Sequence, residues 1–320
     1  MTSASFFAIF ALIGIINGAP SSSGSGNVLY EVPIPRGQTK QDYFKSVADY
    51  WTPERMASAV PMHPILTTKE ITPFVNVDEN RGVERILTEG VEAPNARAEN
   101  DPSAAGRIFF SMNKLNYVCS GSCTTANNRA SIITAGHCVF NNTGKIWAEN
   151  LVYVPNYHQT AAPHGKFVAR KMATKQLWKD KGDYNHDVAI VTVNANDEGT
   201  LVQDQAGAFG IVLDAAKAGA TNCYGFPMNI GSGEYMSNCI GNTRAASILF
   251  LSSFKGIQIQ CGMGGGASGG PWLRNYNTAT KIGHQCSLTS FGHSFAPGYV
   301  NGPSFNNDNI GTLHAETQNA

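Results

Sequence analysis

The apolar positions of this chain fall into short runs. "RIFF", "ASIITAG", "NLVYVPNY", "KFVAR", "HDVAIVTV", "FGIVL", "ATNCYGF", "SILFL", "IQIQC" and "KIGHQCSLTSFG" are rich in Val, Ile, Phe and Tyr, and Gly, Asn, Asp and Pro separate them. Runs of this length between turn formers predict strands. Many such strands in succession predict antiparallel barrels or a sandwich, not a parallel sheet with crossover helices. The pattern begins at about residue 107, and "NIGTLHAETQNA" at the far end predicts a short terminal helix.

Upstream the pattern is different. Phe6 to Ile16 is apolar and is followed by small residues. The run is too short for a bilayer and has the size of a secretory signal core. Residues 1–18 are expected to be a signal peptide, although no Lys or Arg precedes the run. No other run reaches the roughly 18 apolar residues of a membrane helix. Residues 19–105 open with "SSSGSG", lack cysteine and carry more acid than base, whereas the remainder carries more base than acid. This predicts a partly irregular propeptide over 19–105 that docks on, or solubilises, a mildly basic mature domain over 106–320. The stretch 89–106 is small and polar and reads as an exposed cleavage linker. Arg81, Arg85, Arg97 and Arg107 are the candidate processing points.

Composition narrows the partners. Hydrophobic residues at 42 % allow a sizeable core, and a formal net charge of zero offers no attraction to nucleic acid or an anionic membrane. The seven cysteines, Cys119, Cys123, Cys138, Cys223, Cys239, Cys261 and Cys286, all follow residue 118. In a secreted chain they read as disulfides with one thiol left over. The Cys119–Cys123 spacing has no answering Cys or His pair at zinc-site distance, so no metal is expected. Asn141, in "NNT", is an N-glycosylation acceptor and predicts a surface loop there.

The chemistry concentrates in "CGMGGGASGGPW", residues 261–272. A serine hydroxyl needs a base to take its proton and donors to hold the oxyanion that forms. Gly266 permits an unusual backbone conformation, so its N–H and that of Ser268 are able to point at one spot. Losing such a donor costs about 3–4 kcal/mol of transition-state stabilisation. Gly269 and Gly270 are expected to leave room for a substrate backbone. "GASGG" also fits the nucleophile elbow of α/β-hydrolases, which would require an acid and then a histidine after the serine. Asp308, His284, His293 and His314 are available, but "GGPW" is a poor helix start. The opposite order is better supplied. His137 follows an apolar strand, and Asp187 heads another, where a buried carboxylate needs a partner. An imidazole N–H is a suitable one.

"TAGHC", "HDVAIV" and "GGASGGPW" together resemble the trypsin/chymotrypsin family of serine proteases. "YWTPERM", residues 50–56, resembles a leader motif of secreted microbial members. The resemblance spans about residues 106–302 plus that motif. It implies an all-β fold of two antiparallel six-stranded β-barrels. His137 and Asp187 would come from the first barrel and Ser268 from the second, across a cleft. It implies a secreted, monomeric serine endopeptidase acting on proteins or peptides, with its own propeptide as partner and no cofactor. Ser290, Phe291 and Gly292 would form the substrate-backbone strand and pocket wall. Cys119–Cys138 would clamp the histidine loop and Cys239–Cys261 the loop before Ser268; Cys123, Cys223 and Cys286 remain, and a Cys223–Cys286 bridge stays open. Two departures stand out. Members carry aspartate just before the nucleophile, where this chain has Ala267, so its loop is expected to be ordered by other contacts. Tryptic members carry aspartate six residues before it, where this chain has Gly262, so a neutral residue is expected before the cleaved bond. A catalytically inactive homologue serving as a binding protein is the alternative.

Overall fold

In a computed structural model, residues 21–22, 26–62, 65–66, 83–94, 101–248, 251–293 and 298–320 are described. The expected signal peptide, Arg81 and Arg97 lie outside them. The first half is a closed ring of six antiparallel strands. In ring order they are Ala105–Met112, Leu115–Thr124, Ser131–Thr134, Ala189–Val193, Phe167–Lys175 and Glu149–Pro155, which returns to the first. Ile108, Phe110, Ile132, Tyr153, Phe167, Met172 and Ile190 fill its interior. In the strand Ala105–Met112 every position is buried. Its alternate side chain Phe109 faces outward into a second cluster with Val118, Val152, Val154 and Tyr157. Burial on both faces is why "RIFF" reads as continuous rather than alternating.

The leader supplies that outer cover. It is more regular than the sequence implied, with helices at Lys40–Tyr50 and Pro53–Ser58. Thr39 and Thr52 cap them, each accepting a backbone N–H of the first turn, and Pro53 opens the second where a missing N–H costs nothing. The motif at 50–56 is therefore a cap and an anchor. Trp51 and Met56 are buried against Phe109, and the Trp51 Nε1–H donates to the Asn150 carbonyl at 2.6 Å. Lys166 of the barrel donates to the carbonyls of Ala48 and Trp51, a cation at a helix C-terminus. The leader also adds strands. Asn27–Glu31 pairs antiparallel with Phe167–Lys175, and Arg85–Thr88 with Gly210–Leu213. Apolar burial carries this docking; the ion pair Lys171–Glu31 at its surface is partly exposed.

The second half runs as one path of hydrogen-bonded neighbours: Phe291–His293, Tyr299–Gly302, Ile257–Gln260, Ser237–Ala245, Gly219–Gly225, Pro271–Asn277, Ile282–Leu288 and Gly210–Leu213. All are antiparallel except the last pair. Trp272, Val212, Ile257, Ile259 and Val300 form its core. A wide turn, Asn307–Gly311, leads into the terminal helix Thr312–Thr317, whose Leu313 plugs the first barrel. Among the described residues no helix is long and apolar enough to cross a membrane.

Three expectations change. Ala246–Ile248 of the "SILFL" region is not strand; the strand is the polar Ser237–Ala245 before it. The end of the supposed cleavage linker, Ala104–Gly106, is buried, with Ala105 already in a barrel strand. Arg107 is wholly buried in the same strand, where no processing enzyme reaches it. Replacing Trp51 by Ala is expected to destabilise the leader-bearing protein by about 3–5 kcal/mol in denaturant unfolding, the usual cost of deleting a buried large aromatic.

Candidate active site

His137 sits in the short helix Gly136–Val139, straight after the strand Ser131–Thr134. The Cys119–Cys138 disulfide ties that helix to the adjacent strand. A closed loop of this size is worth about 3 kcal/mol. Asp187 follows the three-residue turn Tyr184–His186 and is fully buried. Its Oδ1 accepts the backbone N–H of His137 at 2.8 Å, and its Oδ2 the Nδ1–H of the same residue at 2.8 Å. Gly136 makes this approach fit, since a Cβ there would lie 3.0 Å from Asp187 Oδ1 and 2.8 Å from Trp178. A third donor, the Ser290 hydroxyl, reaches Oδ2 at 2.5 Å. Three donors thus meet a carboxylate that water does not. With Nδ1 protonated toward Asp187, Nε2 is left as the basic nitrogen. It is buried and has no hydrogen-bond partner. Four residues before Asp187, burial pushes the Asp183 carboxyl up, but hydrogen bonds from His186 and Asn185 outweigh this and hold it below its ordinary value.

Ser268 lies in the opposite half. Its carbonyl accepts the Ser120 N–H at 2.7 Å and sits 3.8 Å from Cys138 Sγ, next to the histidine. Gly269, at φ +83°, packs against the first barrel; a Cβ would come within 2.2 Å of Thr134 Oγ1. A Cβ on Gly270 would strike the Tyr224 carbonyl. Gly269 therefore lets the halves of the molecule meet and Gly270 lets the loop pack on its own half, so neither position holds open space at its Cβ.

The loop before Ser268 is fixed by its carbonyls. Gly265 O accepts the Met228 N–H at 2.8 Å, and Ala267 O the Gly270 N–H at 2.9 Å. In a trans peptide the N–H points opposite to its C=O. The N–H groups of Gly266 and Ser268 are therefore turned away from those donors, and among the described residues neither is engaged. Gly266 holds φ +97°, a conformation that favours glycine, and its carbonyl accepts the Ser120 hydroxyl at 2.8 Å. Asn229 laces the same loop, accepting the Gly264 N–H and donating to the Gly262 carbonyl. The Cys239–Cys261 disulfide holds its base. Ala267 is buried and contributes through its backbone alone, its N–H to the Gly264 carbonyl and its carbonyl to the Gly270 N–H, so no side-chain charge at 267 orders the loop.

The leader crosses this centre. Val60–Pro61 pairs in parallel with Tyr117–Val118, and Ile65–Leu66 in parallel with Gly292–His293. Between them the Ser268 hydroxyl donates to the Met62 carbonyl at 3.3 Å. Of the three residues assigned to a substrate strand, Gly292 thus offers a pairing edge. Phe291 is buried against Tyr184 and Phe254, and the Ser290 side chain serves Asp187.

The remaining candidates are placed as follows. Gly262 is exposed, with open space where a Cβ would stand. Asn141 opens a surface turn, its Oδ1 accepting from the N–H groups of Thr143 and Gly144. Cys123, Cys223 and Cys286 are free, buried thiols, so Cys223 and Cys286 are not bridged, and burial pushes all three thiols up. Sequence reasoning missed Ser120 and Met62 and gave Ser290 a substrate-edge role in place of its contact to Asp187; all three contacts depend on which strands become neighbours.

No protein-family model matches the chain. No curated protein matches it either. Among solved structures it is similar to Protease Anisep from Arthrobacter nicotinovorans, with 30% identity, 72% of this chain and 100% of that one covered, and a TM-score of 0.61. It is also similar to a thermostable serine protease from an extremophilic microorganism, with 29% identity, 69% of this chain and 100% of that one covered, and a TM-score of 0.63. A Glu endopeptidase, 16% identical with 73% and 99% covered and a TM-score of 0.54, shares the fold.

Ser290→Ala would leave the buried Asp187 carboxylate one donor short. Denaturant unfolding is expected to show a loss of about 1–3 kcal/mol, the cost of removing a hydrogen bond from a buried charged group.

Proposed function

The chain belongs to the trypsin/chymotrypsin family of serine proteases and is a serine endopeptidase, and we propose that it is secreted, is made as a precursor, and cleaves peptide bonds through His137, Asp187 and Ser268. The Ser268 hydroxyl attacks the carbonyl carbon of the scissile peptide while His137 Nε2 takes its proton. The oxyanion that forms is held by the N–H groups of Gly266 and Ser268. The imidazolium then protonates the leaving amine, and the acyl chain stays on Ser268. Water, deprotonated by the same Nε2, attacks the ester, and the acid departs. Asp187 fixes the tautomer and stabilises the imidazolium. The observation that carries this reading is the buried Asp187 carboxylate spanning both N–H groups of His137.

The segment expected as propeptide from residue 19 acts as one, but it ends before Ala104, since Ala105 already belongs to a barrel strand. With the Ser268 hydroxyl turned to the Met62 carbonyl and His137 Nε2 without a partner, the nucleophile and base are kept from each other and the cleft is filled. Removal of the leader frees both. Since the Ala104–Gly106 backbone is buried, the maturing cut falls upstream of it. Secretion accords with the two disulfides and places Asn141 where glycan is added. At Gly262 no charge is offered, which favours neutral residues before the cleaved bond. The inactive-homologue reading gains no support from Ala267, because Ser120, Met228 and Asn229 order the loop without an aspartate.

A fluorophosphonate probe tests the reading. The mature enzyme is expected to label at Ser268 and the intact precursor to resist; an unlabelled mature enzyme would favour a binding protein. Asp187→Asn is expected to lower kcat by about 10⁴-fold through the wrong histidine tautomer. Replacing Val60, Pro61 and Met62 together by glycine is expected to speed labelling of the uncleaved precursor, as measured by its pseudo-first-order rate.

A further inference from the structure

Arg107 has no part in the scheme above, yet it is a buried cation directly behind the oxyanion loop. Its Nη1 donates to Glu234 Oε1 at 3.0 Å, and its Nη2 lies 3.0 Å from Met228 Sδ. The guanidinium is flanked by the rings of Phe109 and Tyr157, about 5 Å away at 5.0 and 4.9 Å. Glu234 is in turn gripped by the Tyr157 hydroxyl at 2.9 Å and the Thr160 N–H at 3.0 Å. The turn from Phe226 to Glu234 is thus held to the first half at one end by Ser120, which accepts the Phe226 N–H, and at the other by this ion pair and the two hydrogen bonds to Glu234. Gly233, at φ +68°, allows the approach, since a Cβ there would lie 2.9 Å from Arg107 Nη2.

The other side of that turn faces the nucleophile loop. Met228 N–H holds the Gly265 carbonyl, which sets where the Gly266 N–H points. A Cβ on Gly266 would meet the Phe226 carbonyl at 2.6 Å and Met228 Cγ at 3.2 Å, so the two layers are in direct contact. We propose that Arg107, paired with Glu234, is the positioning residue that aims the Gly266 N–H into the oxyanion site, through Met228. Resting on the endopeptidase reading, this gives the loop an internal cation in place of any side-chain charge at residue 267. Because the contact is to the peptide of Gly266 and not to the substrate-pairing edge, it acts on the transition state and leaves ground-state binding alone.

The test uses mature enzyme, wild type alongside Arg107→Met, Arg107→Lys and Glu234→Gln. Arg107→Met is expected to lower kcat about 10- to 100-fold, short of the ~10²–10³ for losing an oxyanion donor outright, with KM within about twofold. A peptide boronate, whose adduct places an oxygen in the same site, is expected to weaken by the same factor, while a non-covalent product peptide binds unchanged. Arg107→Lys retains charge without the fork and is expected to fall between. If Arg107→Met does not fold, Glu234→Gln, which keeps shape and loses the pairing charge, carries the test with an expected loss of about tenfold. Folded variants with wild-type kcat and boronate affinity overturn the proposal, as does a loss seen equally in KM and product binding. A wild-type enzyme that neither labels nor cleaves would sink the endopeptidase reading instead, and this proposal with it.

Discussion

A carboxylate with no access to water has to be met by donors, and Asp187 is met by three. This requirement organises both the site and the chain around it. Two of the donors belong to His137, so satisfying the carboxylate also fixes the imidazole's position and the nitrogen it leaves free. The third, Ser290, comes from the second half of the molecule. A single buried charge therefore binds the histidine loop of one half to a strand leading into the pocket edge of the other. Gly136 is glycine because the carboxylate stands where its Cβ would be. The Cys119–Cys138 bridge keeps the loop that bears these contacts on its barrel.

Ser120 does on the nucleophile side what Asp187 does on the base side. Its hydroxyl donates to Gly266 O and accepts the Phe226 N–H, and its own N–H holds Ser268 O. One first-barrel residue thereby orders three points of the second half. The close approach this needs explains the glycine at 269, where a Cβ would collide with the Ser120 carbonyl; at 270 a Cβ would collide with the Tyr224 carbonyl of the same half. The glycine run reads as looseness in the sequence and is tight packing in the fold.

Much of this was legible in advance. The six strands of the first ring include five that stand out as β-branched and aromatic runs, and chemical context alone singles out His137, Asp187 and Ser268 as candidates. What stayed hidden has a common cause. Leu115–Thr124 and Ser237–Ala245 are rich in Ser, Asn, Gly and Cys, so local preference does not mark them; their pairing partners make them strands. The leader helices are short and amphipathic only with respect to a surface made elsewhere, by Phe109 and Val152. Ser290 looked like a residue of the substrate edge because it adjoins Phe291 and Gly292, while in the fold it lies between two strands with its hydroxyl turned inward to Asp187. Arg107 looked like a processing point because arginine is rarely buried; its partner Glu234 is far away in sequence.

How the nucleophile loop is ordered follows from where its contacts lie. Where the family resembled carries aspartate just before the nucleophile, this chain has Ala267. Here the contacts that set the 265–268 peptides come from Ser120, Met228, Asn229 and Gly270, and Arg107 stands behind Met228. All of these are present before any cut. A site built from such parts is ordered by its own neighbours, so under the proposed precursor reading the leader would act on access to it. The leader is suited to that task in two respects. Trp51 and Met56 fix it to the outer face of the first barrel, and the next few residues run between both halves with the Met62 carbonyl on the nucleophile. Anchor and plug are consecutive in the chain, so a cut that releases the anchor releases the plug as well.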